Sequence, residues 1–158
     1  MALTIRRATP ADVGVLVEFN AALALETEDK RLRADVLTAG VPSSPTCRGF
    51  YTVATDENDE IVGQMMVTYE WSDWRNGWFW WIQSVFVRLD SRRRGVFRLL
   101  YREIERMAAA DPGVIGLRLY VERENSRARA TYAALGMTET TYGLMEEYPL
   151  PGRPNDIE

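Results

Sequence analysis

Residues 84–98 read Ser84-Val85-Phe86-Val87-Arg88-Leu89-Asp90-Ser91-Arg92-Arg93-Arg94-Gly95-Val96-Phe97-Arg98: an apolar strand, an arginine-rich loop with one glycine, then the start of an amphipathic helix. A helix start leaves its first backbone N–H groups without intrahelical partners, so a strand–loop–helix unit of this kind suits a pyrophosphate. Gly95 lets the chain come close to such a ligand, and the arginines add a local positive field. Seven of them, at 88, 92, 93, 94, 98, 102 and 106, lie in this stretch and the helix after it, although the whole chain carries a formal net charge of −4. An acidic chain with one basic segment fits a compact phosphate ligand better than a long polyanion, so no nucleic-acid partner is expected.

Working outward, Trp78–Val87 reads as the strand feeding the loop, and Gly95–Ala110 as the helix leaving it. On that helix Val96, Leu99, Leu100, Ile104 and Met107 make the apolar face, with Arg98, Arg102 and Arg106 opposite. Asp111-Pro112-Gly113 stops it, and Val114–Val121 reads as the next strand. A helix then spans Ser126–Leu135 up to Gly136, and Tyr142–Tyr148 reads as a final strand before a polar tail over 149–158.

Upstream, Leu3–Thr9 alternates as a strand, and Thr9-Pro10-Ala11-Asp12 opens a helix running to about Glu28. A short helix follows over Leu32–Ala39, then strands at Phe50–Thr55 and Ile61–Tyr69 around the turn Asp56–Asp59. The predicted order is β-α-α-β-β-β-α-β-α-β in one α/β domain over residues 1–148, with a mixed, twisted sheet flanked by helices. A length of 158 residues with 46% hydrophobic content is enough for one core.

The sequence holds one cysteine and no histidine, which excludes an internal disulfide and a histidine-based triad, and makes a metal site unexpected. Cys47 stands in a Pro/Ser-rich loop and reads as an incidental thiol. The N-terminus lacks a signal-peptide pattern and no apolar run reaches the roughly 20 residues that span a membrane, so a soluble, cytoplasmic protein without a membrane partner is expected.

The second segment that bears on chemistry is Asn125-Ser126-Arg127-Ala128-Arg129-Ala130-Thr131-Tyr132-Ala133-Ala134-Leu135-Gly136-Met137. Together with the loop, it resembles the acetyl-CoA signature of the GNAT N-acetyltransferase superfamily, over most of the chain and in the expected order. The family's loop pattern is Gln or Arg, two residues, Gly, one residue, then Gly or Ala. Arg92 and Gly95 fill the first two fixed places, while Phe97 stands where a small residue is usual.

The resemblance implies acetyl-CoA as cosubstrate, no metal, and a primary amine on a small molecule or peptide as acceptor. Arg92, Arg93, Arg94, Gly95, Val96, Phe97 and Arg98 would hold the pyrophosphate. Val85, Phe86 and Val87 would offer main-chain groups to the pantetheine arm where the strand splays from its neighbour, and an N–H near Phe86 or Val87 would bond the thioester carbonyl. Asn125 and Ala128 would flank the arm, Asn125 also reading as a plain helix N-cap. Tyr132, two turns along from Asn125, would protonate the departing thiolate; read without the motif, such a tyrosine is more often a packed residue with a satisfied hydroxyl.

For the base, Glu70 at the end of its strand is the natural carboxylate, acting directly or through water, and it is also readable as a solvated strand-end charge. The aromatic run with Tyr69, Trp71 and Trp74, followed by Trp78, Trp80 and Trp81, suits a core or an oligomer interface, such as a homodimer, as well as a pocket for a cationic amine. Two other functions remain compatible with the residues: a non-catalytic acyl-CoA-binding or sensing module, and a nucleic-acid binder using the arginine face.

Overall fold

The computed structural model describes residues 2–42 and 48–155, so Cys47 lies outside the described residues. The chain forms two compact units, the first ending at Leu119 and the second beginning at Tyr120.

In the first unit, β1 (Thr4–Arg7) leads through a single 3-10 turn at Pro10–Asp12 into α1 (Val13–Glu28). The junction is fixed by Asp12: the Thr9 N–H and hydroxyl both donate to its Oδ2, at 2.7 and 3.0 Å, and Arg6 donates to both of its oxygens. The Arg6 guanidinium first, helped by the Thr9 bonds, pulls the Asp12 carboxyl down to about 2. The helix ends where Asp29 turns left-handed, at φ 52°. A short α2 (Ala34–Gly40) follows, then β2 (Phe50–Thr55), β3 (Ile61–Ser72) and β4 (Gly77–Val87) as an antiparallel meander. Next come α3 (Val96–Ala110) and β5 (Val114–Leu119), the last pairing parallel with β4. The sheet order is β1-β2-β3-β4-β5.

Adjacent strand residues face opposite sides of a sheet, and Gly63 and Gln64 show which helix covers which. A Cβ on Gly63 would stand 2.7 Å from Val96 Cγ1, so glycine there lets α3 sit down on one face. Gln64 faces the other side, where its amide meets Asn20 of α1. The α3 face is built on four-residue spacing, with Val96, Leu100, Ile104 and Ala108 buried beside Tyr101. Leu99, expected on that face, is exposed instead, because one step from Leu100 rotates it onto the arginine side. On the α1 face, Leu16 packs with Ala8, Val41, Tyr51 and Val53.

The second unit holds α4 (Ser126–Ala134), capped by Asn125, whose Oδ1 accepts the Ala128 N–H at 3.0 Å. Gly136 follows at φ 100°. The mixed sheet flanked by helices is as expected, with two corrections. The strand expected to Val121 stops at Leu119, and the one expected over Tyr142–Tyr148 does not form: those residues carry no regular secondary structure. A strand exists only through its ladder, and no described strand pairs with this segment, so its local preference for extended backbone is not enough. Among the described residues, no helix is long and apolar enough to cross a membrane.

Candidate active site

The loop between β4 and α3 is shaped by backbone and fastened by charge. After a 3-10 turn at Leu89–Ser91, Arg93 takes φ 64° and Gly95 φ 80°, the latter at the N-cap of α3. The left-handed value at Gly95 is the one glycine adopts without strain, and the position where its Cβ would stand is open, with nothing within 4 Å. Val96 is buried against the sheet, so it offers main chain only; Phe97 stacks near Tyr101, and Arg93, Arg94 and Arg98 are exposed.

Arg92 behaves differently from its neighbours. Its Nη1 and Nη2 each donate to Glu26 at 2.8 Å, and its Nε to the Val87 carbonyl at 2.9 Å. It therefore ties the loop to the last turn of α1 and to the end of β4, and its bonds hold the Glu26 carboxyl below the ordinary range. Arg88 bonds Asp90 and Glu60 at 2.7 and 3.2 Å, Arg102 pairs with Glu105, and Arg106 with Glu103. Much of the arginine field is thus neutralised within the chain.

Ahead of the loop, β4 is irregular on both sides. Its pairing with β5 ends at Ile82↔Leu119. Toward β3, Gln64 faces Phe86 and Met66 faces Gln83, so Ser84 and Val85 together stand opposite Met65 as a bulge, with Ser84 at φ 48°. Val85, Phe86 and Val87 fall in this stretch, beyond the last β5 pairing; Phe86 itself is buried against Phe19, with ring centroids 4.8 Å apart.

A neutral hydrogen-bonded chain that sequence reasoning missed lies under the bulge. Gln64 Nε2 donates to Asn20 Oδ1 at 2.8 Å and to the Ser84 carbonyl at 3.2 Å, and Asn20 Nδ2 donates to the Tyr51 hydroxyl at 2.8 Å. All three side chains are buried, and Gln64 Oε1 has no hydrogen-bond partner among the described residues. A group left so costs about 1–3 kcal/mol. The signal was a lone amide in the apolar run Ile61–Val67 and another on the apolar side of α1.

Glu70 sits among three strands. Its Oε1 accepts from Arg118 of β5 at 2.5 Å and its Oε2 from the Trp81 indole of β4 at 3.1 Å, while the Arg118 guanidinium lies 3.6 Å over the Phe79 ring. It is oriented on both oxygens and 43% exposed. Of the tryptophans, Trp80 fills the core against Phe50 and Tyr69, whereas Trp71, Trp74 and Trp78 are exposed at the β3–β4 turn.

In the second unit, Asn125 spends its oxygen on the helix cap, and Ala128 receives that bond. Tyr132 lies on α4 and its carbonyl accepts from Leu135 and Met137 at 3.0 and 3.1 Å, closing the helix end. Among the described residues, no group of three or more His, Cys, Asp or Glu is placed to hold a metal ion.

The family model described as acetyltransferase (GNAT) family matches residues 20–137. A solved structure of a possible acetyltransferase from Clostridium difficile 630 is 45% identical, with a TM-score of 0.86, covering 95% of this chain and 99% of that one. Two more distant structures share the fold. One is an aminoglycoside acetyltransferase from an uncultured soil metagenomic sample, at 19% identity, TM-score 0.71 and 95% and 99% coverage. The other is glucosamine-6-phosphate N-acetyltransferase from Arabidopsis thaliana, at 17%, 0.70, and 94% and 99%. No curated protein matches the chain.

Proposed function

The chain belongs to the GNAT acetyltransferase family and is an acyltransferase; on that premise we propose that it transfers the acetyl group of acetyl-CoA to a primary amine of a small molecule or peptide, within a ternary complex in the cytoplasm. The observation that carries the reading is the end of the β4–β5 ladder at Ile82↔Leu119, which leaves main chain of residues 83–87 beyond the last rung, directly ahead of the Gly95 loop.

Open space at Gly95, the exposed Arg93, Arg94 and Arg98, and the start of α3 fit a pyrophosphate. Phe97 and Val96 contribute main chain there, and Arg92 contributes by holding the loop to Glu26. Val85, Phe86 and Val87 seat the pantetheine arm through backbone groups, one N–H donating to the thioester carbonyl as negative charge grows on it. Asn125 and Ala128 flank the arm. Tyr132 gives its phenolic proton to the leaving thiolate, a transfer suited to groups with ordinary values near ~10 and ~8.5.

Glu70, fixed by Arg118 and Trp81, takes the proton of the amine, directly or through water. An aminoglycoside acetyltransferase and a glucosamine-6-phosphate N-acetyltransferase share the fold, which supports that acceptor class. Exposed Trp71, Trp74 and Trp78 support a homodimer. The pairing of arginines with the chain's own carboxylates speaks against nucleic acid as partner.

The test is a calorimetric titration with acetyl-CoA, using desulfo-CoA and a random oligonucleotide as comparison ligands, followed by an amine screen that reads thiol release. Saturable binding near one site per chain, with amine-dependent thiol release that falls in Tyr132→Phe more than affinity does, is the expected result. Cofactor binding without any thiol release indicates a sensor instead, and no response to either CoA ligand removes the proposal.

A further inference from the structure

A peptide unit is planar and trans, so fixing the direction of one carbonyl also fixes the next N–H, which points the opposite way. The carbonyl of Ser84 and the N–H of Val85 belong to one such unit, at the point where the bulge takes β4 out of register with β3. That carbonyl accepts from Gln64 Nε2, on the α1 side of the sheet. Gln64 cannot swing away, because its second amide hydrogen is given to Asn20, itself bonded to Tyr51.

We infer that Asn20 and Gln64 are positioning residues for acetyl transfer: through the Ser84 carbonyl they set the 84–85 peptide plane, and with it the direction of the main-chain donors the thioester meets. This rests on the reading of the 83–87 backbone as the thioester seat. Three features of the site agree with such a role. Ser84 holds a left-handed φ of 48°, a conformation few non-glycine residues adopt. Gln64 is fully buried yet leaves Oε1 without a partner among the described residues, so its place is decided by its donor end. And Phe86, two residues after Ser84, packs on Phe19, the residue before Asn20, so α1 grips the bulge by an amide and a ring together.

Neither Asn20 nor Gln64 touches a reacting atom in this scheme, so the test must read the thioester itself. Acetyl-CoA labelled with carbon-13 at the carbonyl is bound to the wild-type protein and to Gln64→Met, which keeps the volume and removes the donor. The carbonyl stretch is then followed by difference infrared spectroscopy, with Kd measured by calorimetry. The wild-type band is expected to shift from its free position through hydrogen bonding. The variant is expected to lose at least half of that shift while Kd changes less than threefold.

An unchanged band in a variant that binds acetyl-CoA overturns the inference and leaves the proposed function standing. Absence of acetyl-CoA binding by the wild-type protein overturns the function first, and the inference with it. If Gln64→Met does not fold, Asn20→Leu carries the same comparison, since it frees Gln64 without removing it; a smaller loss of shift is expected there, and none overturns the inference.

Discussion

The loop from Arg88 to Gly95 is fastened by charged groups at the surface: Arg92 on Glu26, and Arg88 on Asp90 and Glu60. Four residues upstream, the half-buried Ser84 has its carbonyl held by an uncharged amide, Gln64, which is itself fully buried. Exposed ion pairs contribute about 0–1 kcal/mol each and weaken with salt, because water and counterions screen them. A neutral bond from a buried amide is not screened by salt, and losing one of its partners leaves the other stranded. The loop's fastenings should therefore yield more easily than the bulge's.

The largest expected effect tests the rigid side. Gln64→Leu strands Asn20 Oδ1 and the Ser84 carbonyl, and should lower stability by about 1–3 kcal/mol in urea unfolding. A loss near zero would mean that the bulge holds itself.

Asp12 is a case between the two, a charge on a buried carboxyl paired with a half-exposed Arg6. Its folded value of about 2 lies below the ordinary 3.8, so its stabilisation is complete above about pH 4 and disappears as pH falls through 2. Asp12→Asn should cost about 1–2 kcal/mol at neutral pH and flatten the stability profile between those limits. A variant with the wild-type slope in that window would remove Asp12 as a source of acid sensitivity.

Gly95→Ala meets no atom, so its cost is only the left-handed backbone, about 1 kcal/mol. The expected signature is weaker acetyl-CoA binding with little change in melting temperature. Unaltered affinity would argue that the loop keeps its path without glycine.

Glu26→Gln should be the mildest change, under about 1 kcal/mol, and the difference from wild type should shrink as sodium chloride rises. A salt-independent loss would place this pair with the buried bonds and erase the contrast.

How much of this was legible in the sequence follows the same division. Apolar periodicity and turn residues located β1 to β5 and α1 to α4 to within a few residues, because those signals are local. The turn between β4 and α3 was legible for the same reason: Gly95, which takes a left-handed φ at the head of α3, is a local signal. Tyr142–Tyr148 was not, since alternation expresses a preference for extended backbone and a ladder needs a partner that the pattern does not name. The Asn20–Gln64–Ser84 bonds join residues 44 and 20 apart, and Glu70 meets Arg118 across 48. Each partner was visible as a polar residue out of pattern, yet only α1 packed on the meander and β5 paired beside it bring them together. Leu99 shows the limit at fine grain, where one residue of helix phase separates the core from the surface.

The Arg118–Glu70 bond has a mechanical side as well. A ladder that stops short behaves like a seam with an open end: load applied there concentrates on the last stitch, here the rung Ile82↔Leu119. Arg118 sits on the rung before it and reaches past β4, over the Phe79 ring, to Glu70 on β3. It works as a rivet through three layers of cloth, so a tear that passes the last stitch must also shear a charged bond anchored two strands away. The end of the β4–β5 seam is thereby reinforced from a third strand.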